Sequence, residues 1–238
     1  MEPTRSKFGL FYILYFVFVY LNLTAVWFYG VSFFRRVTHG DFIVTLLAAL
    51  APELKSVAPM PTTEGCIVLA NHVNWSDFVI DICLVERGCY VSRNVLWYIF
   101  FPGSWIRAKL FGDCVFFKRG KTSSKGPLYE QVEDKVREGR AVIVYAEGTR
   151  NPQRKKLPLK LGLVKLAYEK NLDVVISMTA DKADIFDEHR FVVTFHVPIV
   201  NKKSDVLKPK DFHDLTAFVD TVQREWDRLW ADLFGGSS

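Results

Sequence analysis

The chain has 238 residues, 50% of them hydrophobic, and a formal net charge of +5 at pH 7. This length accommodates one sizeable α/β domain with a small appendage. The positive excess is mild and scattered, and the sequence has no basic arm and no nucleic-acid motif. These features exclude a nucleic-acid-binding protein and fit a surface that meets anionic lipid headgroups or phosphorylated ligands.

The N-terminal region contains a long apolar segment, residues 8–34, without a charged side chain. As a helix it would be about 40 Å long, more than the ~30 Å hydrocarbon core of a bilayer requires. No small-residue cleavage site follows a short apolar core, so we predict an uncleaved membrane anchor rather than a signal peptide. A second apolar run, residues 42–51, is too short to span. It is expected to lie in the interface or to form a re-entrant hairpin with the first helix.

The chain divides into three parts by composition. Residues 1–55 are assigned to the membrane-anchoring helical segment, residues 56–234 to a globular domain, and the Gly-Gly-Ser-Ser of residues 235–238 to a flexible or artificially added tail. Basic residues flank the predicted anchor on both sides, so loop charge gives no firm orientation. Arg35 and Arg36, together with cysteines that show no pairing pattern, favour a cytosolic location for the globular domain.

The globular part alternates between strand-like and helical patterns. The predicted strands are residues 66–70, 89–91, 114–117, 141–146, 174–178 and 191–197. The predicted helices are residues 76–86, 95–110, 128–138, 159–170 and 214–233, the last with a continuous apolar stripe. This order predicts an α/β fold with a mixed, mostly parallel sheet covered by helices, preceded by the N-terminal membrane helix or two-helix membrane motif.

The four cysteines carry no metal or redox signature. Cys66, Cys83, Cys89 and Cys114 form no Cys-x-x-Cys pair and have no histidine at metal-ligand spacing. We therefore predict small, buried side chains in a reducing compartment, and no metal site.

The first candidate site follows the strand at residues 66–70. His72 lies between that strand and a predicted helix, which places it at the carboxyl edge of the sheet, where α/β proteins build sites. Asp77, in the first helical turn, could return its carboxylate to one imidazole nitrogen and leave the other nitrogen to accept a proton. The alternative is that both residues merely cap the helix.

The second candidate site follows the strand at residues 141–146. Gly148 permits a sharp turn, and Glu147, Thr149 and Arg150 offer groups for hydroxyls and phosphate. Alone, this block would indicate only a charged loop.

Asn71, His72, Asp77 and the block Glu147-Gly148-Thr149-Arg150 together resemble the glycerophospholipid acyltransferase family, in particular its lysophosphatidate acyltransferase group, over about residues 65–200. The resemblance implies that His72 deprotonates a glycerol hydroxyl and that Asp77 orients the His72 imidazole. The hydroxyl then attacks the thioester of acyl-CoA or acyl carrier protein without an acyl-enzyme, and lysophosphatidate becomes phosphatidate. The donor is a substrate, so neither a cofactor nor a metal is implied.

The residues between the two motifs extend the resemblance. Residues 111–119 are similar to the family's phosphate-binding block, which implies that Arg119 binds the acceptor phosphate together with Arg150. Lys118 stands where many members of the family have an acidic residue. Because of this departure, the resemblance does not fix which headgroup the acceptor lipid carries. Lys160, in a basic segment before the next helix, is a further candidate for phosphate binding. Residues 174–179 lack the proline of the family's fourth block, and residues 196–199 are similar to the next strand of the fold instead.

The implied partners are membrane lipids, a lysophospholipid acceptor and acyl-CoA, at the endoplasmic reticulum or the bacterial inner membrane. Other acceptors stay open, namely lysophosphatidylinositol, lysophosphatidylcholine and glycerol 3-phosphate. Two other functions also stay open: a thioesterase, in which water replaces the acceptor, and an inactive lipid-binding or scaffold protein.

Overall fold

A computed structural model shows the fold. It describes residues 7–8, 60–74, 77–93, 114–117, 125–152, 155–187, 190, 192–194 and 197–235. The predicted anchor beyond Phe8, the apolar run at residues 42–51 and the predicted helix at residues 95–110 lie outside these residues. Within the described ranges, no helix is both long and apolar enough to cross a bilayer.

The elements alternate as predicted. The described strands are β1 (Lys7–Phe8), β2 (Cys66–Ala70), β3 (Gly88–Arg93), β4 (Cys114–Phe117), β5 (Ala141–Tyr145), β6 (Val174–Thr179), β7 (Phe186–Asp187), β8 (Val192–Thr194) and β9 (Asn201–Lys203). The described α-helices are α1 (Asp77–Cys83), α2 (Lys125–Arg137), α3 (Gly162–Lys170), α4 (Lys182–Ile185) and α5 (Leu215–Phe234). A short 3-10 helix, Pro209–Asp211, precedes α5.

The central sheet has six strands in the order β4-β3-β5-β2-β6-β9. Strand β2 pairs in parallel with β5 on one side and with β6 on the other, whereas β9 runs antiparallel to β6. Every residue of β2 is buried, as expected for a parallel strand covered on both faces. The predicted mixed, mostly parallel sheet is therefore confirmed.

Helices cover both faces of the sheet. One face packs against α2, α3 and α5 in a single apolar cluster. The other face packs against Ile82 and Val85, in α1 and the turn that follows it. Because β2 lies in the middle of the sheet, its carboxyl end is flanked by the ends of β5 and β6.

Helix α5 confirms the predicted C-terminal amphipathic helix. Its buried residues, Phe218, Val222, Trp226 and Leu229, recur at intervals of three and four and so share one face. Asp214 is the N-cap, and its carboxylate accepts a hydrogen bond of 2.8 Å from the Ala217 N–H.

Removing this cap should destabilise the domain. We expect Asp214→Ala to lower the free energy of unfolding by about 1 kcal/mol, because an N–H at the start of α5 loses its acceptor. Urea denaturation measures the change. Asp214→Asn, which keeps an acceptor oxygen, is the matched control and should lose much less; equal losses in the two variants would contradict the capping role.

Several predicted boundaries were wrong for identifiable reasons. Within the predicted strand at residues 191–197, the described strand is β8, which belongs to a second, three-stranded sheet with the order β1-β8-β7. Residues 197–200 are not a strand, and the next strand of the main sheet is β9 instead. Pro198 lacks an N–H and could not donate to a sheet ladder. Phe8, predicted to begin the anchor helix, lies in β1 opposite Val193.

Two helices also differ from their predicted limits. Helix α3 begins at Gly162 rather than residue 159, because the Lys160 N–H donates to the Ala146 carbonyl (2.7 Å) and holds this stretch against β5. Helix α1 ends at Cys83 rather than residue 86, shortly before Arg87, whose φ of 51° is incompatible with helix. Of the cysteines, Cys66 and Cys89 are buried as predicted, whereas Cys83 and Cys114 are half-buried.

Candidate active site

The two sequence motifs meet at the carboxyl edge of the central sheet. Ala70 in β2 lies opposite Tyr145 in the parallel strand β5, so the chains that leave these residues emerge side by side. His72 and Glu147 each follow two residues later, and the His72 N–H donates to Glu147 Oε2 at 2.9 Å. The structure thus brings together residues that are 75 positions apart in the chain.

His72 and Asp77 make the contact that their spacing predicts. Nδ1 of His72 lies 2.8 Å from Asp77 Oδ2, and the same oxygen accepts the N–H groups of Val73 and, at 3.2 Å, Asn74. The Asp77 side chain is fully buried, whereas that of His72 is 15% exposed. Since a carboxylate only accepts, Nδ1 carries the ring proton. Nε2 has no hydrogen-bond partner among the described residues and is the nitrogen available as a base.

Aromatic rings fix the plane of the His72 imidazole. Tyr145 stacks on it with a centroid separation of 4.1 Å and an interplanar angle of 16°, and Phe78 meets it edge-on at 6.0 Å. The Tyr145 hydroxyl is buried beside the Asp81 carboxylate. Burial, and then the charges of Asp81 and Asp77, raise the pKa of Tyr145 well above its ordinary value. Tyr145 therefore stays neutral and acts as a wall of the site.

Glu147 faces the protein interior. Its Oε2 accepts the His72 N–H, its Oε1 accepts Asn151 Nδ2 at 2.6 Å, and the Asn151 N–H in turn donates to the His72 carbonyl at 2.6 Å. Burial raises the pKa of Glu147, while the hydrogen bonds from His72 and Asn151 oppose that shift. This geometry holds the main chain of His72; the predicted contact of Glu147 with substrate stays a prediction.

The rest of the second motif forms an exposed turn beside His72. Gly148, Thr149 and Arg150 are exposed, and the Gly148 N–H donates to the Tyr145 carbonyl at 3.0 Å. Lys160 is exposed as well, and its alkyl stem covers Gly148. The predicted substrate-binding groups Thr149, Arg150 and Lys160 are thus gathered on the solvent side of one turn.

Gly148 itself should not tolerate a side chain. Its φ is +70°, and a Cβ would lie 3.0 Å from Lys160 Cγ. We expect Gly148→Ala to cost about 1–2 kcal/mol of unfolding free energy, measured by chemical denaturation, because the left-handed conformation is strained for residues with a Cβ. Gly126→Ala, in α2 with nothing within 4 Å of the added atom, is the control and should be neutral or stabilising. A Gly148→Ala protein as stable as the Gly126→Ala protein would contradict this account.

Two predicted phosphate ligands, Lys118 and Arg119, lie outside the described residues. The strand that precedes them, β4, runs parallel to β3 and ends at the same edge of the sheet as β2 and β5.

Sequence reasoning missed a buried charged cluster behind Asp77. Lys182 Nζ donates to the Asn71 carbonyl at 2.6 Å and to both oxygens of Asp81 at 3.0 and 3.1 Å. It also lies 3.7 Å from Asp77 Oδ1. Burial raises the pKa of Asp81 to about 6, the charge of Lys182 opposes this shift, and the charge of Asp77 adds to it. One signal was available in the sequence: Asp81 follows Asp77 by four residues and so shares its helix face.

Comparisons with known proteins found relatives of this chain. A family model described as Acyltransferase matches residues 53–179. A lyso-ornithine lipid O-acyltransferase of Rhodobacter capsulatus is 30% identical over 124 residues, which cover 52% of this chain and 43% of the relative. The human 1-acyl-sn-glycerol-3-phosphate acyltransferase beta is 23% identical over 175 residues, 72% of this chain and 62% of the relative. The chain spans about half the length of the curated relatives it matches.

The fold also has a solved counterpart. The crystal structure of the 1-acyl-sn-glycerophosphate acyltransferase PlsC from Thermotoga maritima superimposes with a TM-score of 0.68 over 94% of this chain and 95% of that one. Sequence identity in this alignment is 19%, so the likeness is one of fold.

Proposed function

The chain belongs to the acyltransferase family, and on that premise we propose that it transfers a fatty acyl group from acyl-CoA to the sn-2 hydroxyl of lysophosphatidate, giving phosphatidate in phospholipid biosynthesis. The observation that carries the proposal is the His72–Asp77 pair. It lies beside the exposed turn at Gly148–Arg150, at the edge where parallel sheets build their sites.

The arrangement supports a general-base mechanism. Nε2 of His72 takes the proton of the acceptor hydroxyl as its oxygen forms a bond to the thioester carbonyl carbon. The carbon–sulfur bond then breaks, and the coenzyme A thiolate leaves with the proton that His72 returns. Asp77 accepts from Nδ1–H throughout and stabilises the transient imidazolium. Oxygen attacks directly, so no acyl-enzyme forms.

Cationic side chains around the turn would hold the acceptor phosphate. Arg150 and Arg119 are assigned the main contacts because a planar guanidinium binds two phosphate oxygens at once. Lys118 and Lys160 add charge, and Thr149 supplies a hydroxyl donor. The exposure of Arg150 and Lys160 beside the half-buried His72 supports this assignment, since a phosphate must reach them from solvent while the hydroxyl reaches the ring.

The acceptor and product are membrane lipids, and we infer that the enzyme works at a membrane. The uncharged stretch at residues 8–34 supports this, and residues 1–55 are assigned to the anchor. Arg35 and Arg36 favour a cytosol-facing active domain, at the endoplasmic reticulum or the bacterial inner membrane.

A second acceptor class is favoured by the relatives themselves. Two of them are named lyso-ornithine lipid O-acyltransferases, one with the highest identity quoted above. The chemistry at His72 would be the same for any lipid with a hydroxyl in that position. Lysophosphatidylinositol, lysophosphatidylcholine and glycerol 3-phosphate stay within the same mechanism.

The test is acyl transfer by the detergent-purified chain from oleoyl-CoA, and separately from oleoyl-acyl carrier protein, to each of these acceptors. Mass spectrometry reads the products beside His72→Ala. Phosphatidate formed from lysophosphatidate by the native protein alone supports the proposal. Product from another acceptor keeps the mechanism and changes the substrate, and fatty acid released without an acceptor indicates a thioesterase. The absence of any His72-dependent product with either donor would overturn the enzymatic proposal in favour of a lipid-binding or scaffold role.

A further inference from the structure

Lys182 is the most deeply buried cation of the described residues. It begins the four-residue helix α4 just after β6, and its side chain has no exposure to solvent. Three oxygens lie within hydrogen-bond distance of its ammonium, the Asn71 carbonyl and both carboxylate oxygens of Asp81. A fourth, Asp77 Oδ1, is 3.7 Å away. Lys182 therefore touches the catalytic pair from the interior.

The two oxygens of Asp77 have different surroundings. Among the described residues, Oδ2 receives the N–H groups of His72, Val73 and Asn74. Oδ1 is buried and has no hydrogen-bond partner among the described residues. The Lys182 ammonium is on the Oδ1 side of the carboxylate, 3.7 Å from this oxygen. A buried carboxylate oxygen without a partner is costly, and a nearby cation offsets that cost.

We propose that Lys182 is a positioning residue for the reaction: its ammonium holds the Asp77 carboxylate in the orientation in which Oδ2 faces His72 Nδ1. This inference rests on the proposed function. Lys182 touches no substrate because it is fully buried, so it acts through Asp77.

The charges of the cluster support this role. Asp77 and Asp81 with Lys182 sum to one negative charge, which the imidazolium of His72 would balance when it forms. Without the ammonium, Asp77 Oδ1 would be buried with neither a hydrogen bond nor a cation beside it among the described residues. The carboxylate would then gain by turning toward other donors, and an Oδ2 displaced from Nδ1 would no longer hold the tautomer that leaves His72 Nε2 as the base.

Asp81 and Asn71 fix the position of the Lys182 ammonium. The Asp81 carboxylate binds it with both oxygens, and the Asn71 side chain is itself fixed by two 2.9 Å hydrogen bonds with the main chain of Thr179. The Asn74 side chain donates to the Lys182 carbonyl at 3.3 Å. These bonds tie α4 and the end of β6 to the turn that carries His72.

A structural ion pair between Lys182 and Asp81 would explain the burial equally well, so the experiment must separate the two roles. Lys182→Met alone leaves Asp81 uncompensated and is expected to destabilise the protein. The double variant Lys182→Met/Asp81→Leu replaces the pair with apolar side chains of similar volume, which restores stability in other buried pairs. If the pair is only structural, this double variant recovers both stability and activity.

We expect the double variant to unfold near the native temperature and yet to have kcat reduced on the order of 10²-fold with an unchanged KM, as for a misplaced catalytic group. Lys165→Met, an exposed lysine on α3, is the matched control and should keep native values. A stable double variant with native kcat would overturn the inference.

A second readout does not depend on turnover. Long-range ¹H–¹⁵N NMR of the imidazoles, of which the chain has five, reports which nitrogen of His72 carries the proton. We expect Nδ1–H in the native and Lys165→Met proteins and a tautomer mixture in the double variant. If no protein transfers acyl groups but the tautomer changes, the proposed function fails and the positioning role stands. If native transfer depends on His72 and the tautomer is unchanged in the double variant, the positioning role fails alone.

Discussion

Replacement of His72 by alanine is expected to lower the rate of acyl transfer by about 10²- to 10⁴-fold, the usual contribution of a general base. The imidazole offers a nitrogen that can accept a proton, since Nδ1 is committed to Asp77 and Nε2 has no hydrogen-bond partner among the described residues. Some loss of stability is also expected, because the ring packs on Tyr145 and Asp77 Oδ2 loses one of its donors. The fold should persist, since the main-chain bonds of His72 to Glu147 and Asn151 survive the substitution.

The chain supplies a matched control for this experiment. His213 also lies beside an aspartate, with Nε2 3.0 Å from Asp214 Oδ2, but its side chain is 81% exposed. His213→Ala removes the same side chain from a second His–Asp pair and should leave kcat unchanged. An equal loss in the two variants would point to damage unrelated to the site, and full activity of His72→Ala would contradict the general-base role.

The frame of the site was predictable from local sequence. The apolar runs that became β2 and β5 are continuous, and each ends at a polar motif. Two parallel strands that end at one edge must bring those motifs close, and they do so through His72 and Glu147. The His72–Asp77 contact followed from five residues of spacing across a strand-to-helix turn.

The interior of the site was not predictable in this way. Lys182 follows Asp77 by 105 residues, and a lysine in a short polar stretch indicates a solvated surface by default. The pairing of β6 with β2 brings Lys182, three residues after β6, close to the end of β2, where its ammonium donates to the Asn71 carbonyl. The orientation of Glu147 was hidden for the same reason, because Asn151 and the His72 main chain turn a charged residue inward.

Substitution of Asp77 by asparagine should be nearly as damaging as the loss of His72, up to about 10⁴-fold in kcat, as for the aspartate of other His–carboxylate pairs. An amide is neutral and presents one acceptor and one donor group. If its oxygen keeps the N–H groups of Val73 and Asn74, its NH₂ faces the Lys182 ammonium, which accepts no hydrogen bond. If the amide flips, NH₂ meets Nδ1 and favours the tautomer whose Nε2 carries a proton and cannot act as a base.

Both orientations impair His72, because the first removes the negative charge that stabilises its imidazolium and the second favours the wrong tautomer. Because Asp77 acts through His72, the double variant His72→Ala/Asp77→Asn should be no slower than His72→Ala alone. Initial rates with oleoyl-CoA and the best acceptor measure all three variants, with Asp227→Asn, a surface residue paired with Lys156, as the control. Losses that multiply in the double variant would show that Asp77 contributes by a route independent of the imidazole. Losses that do not multiply would establish that the buried carboxylate and the ring work as one unit.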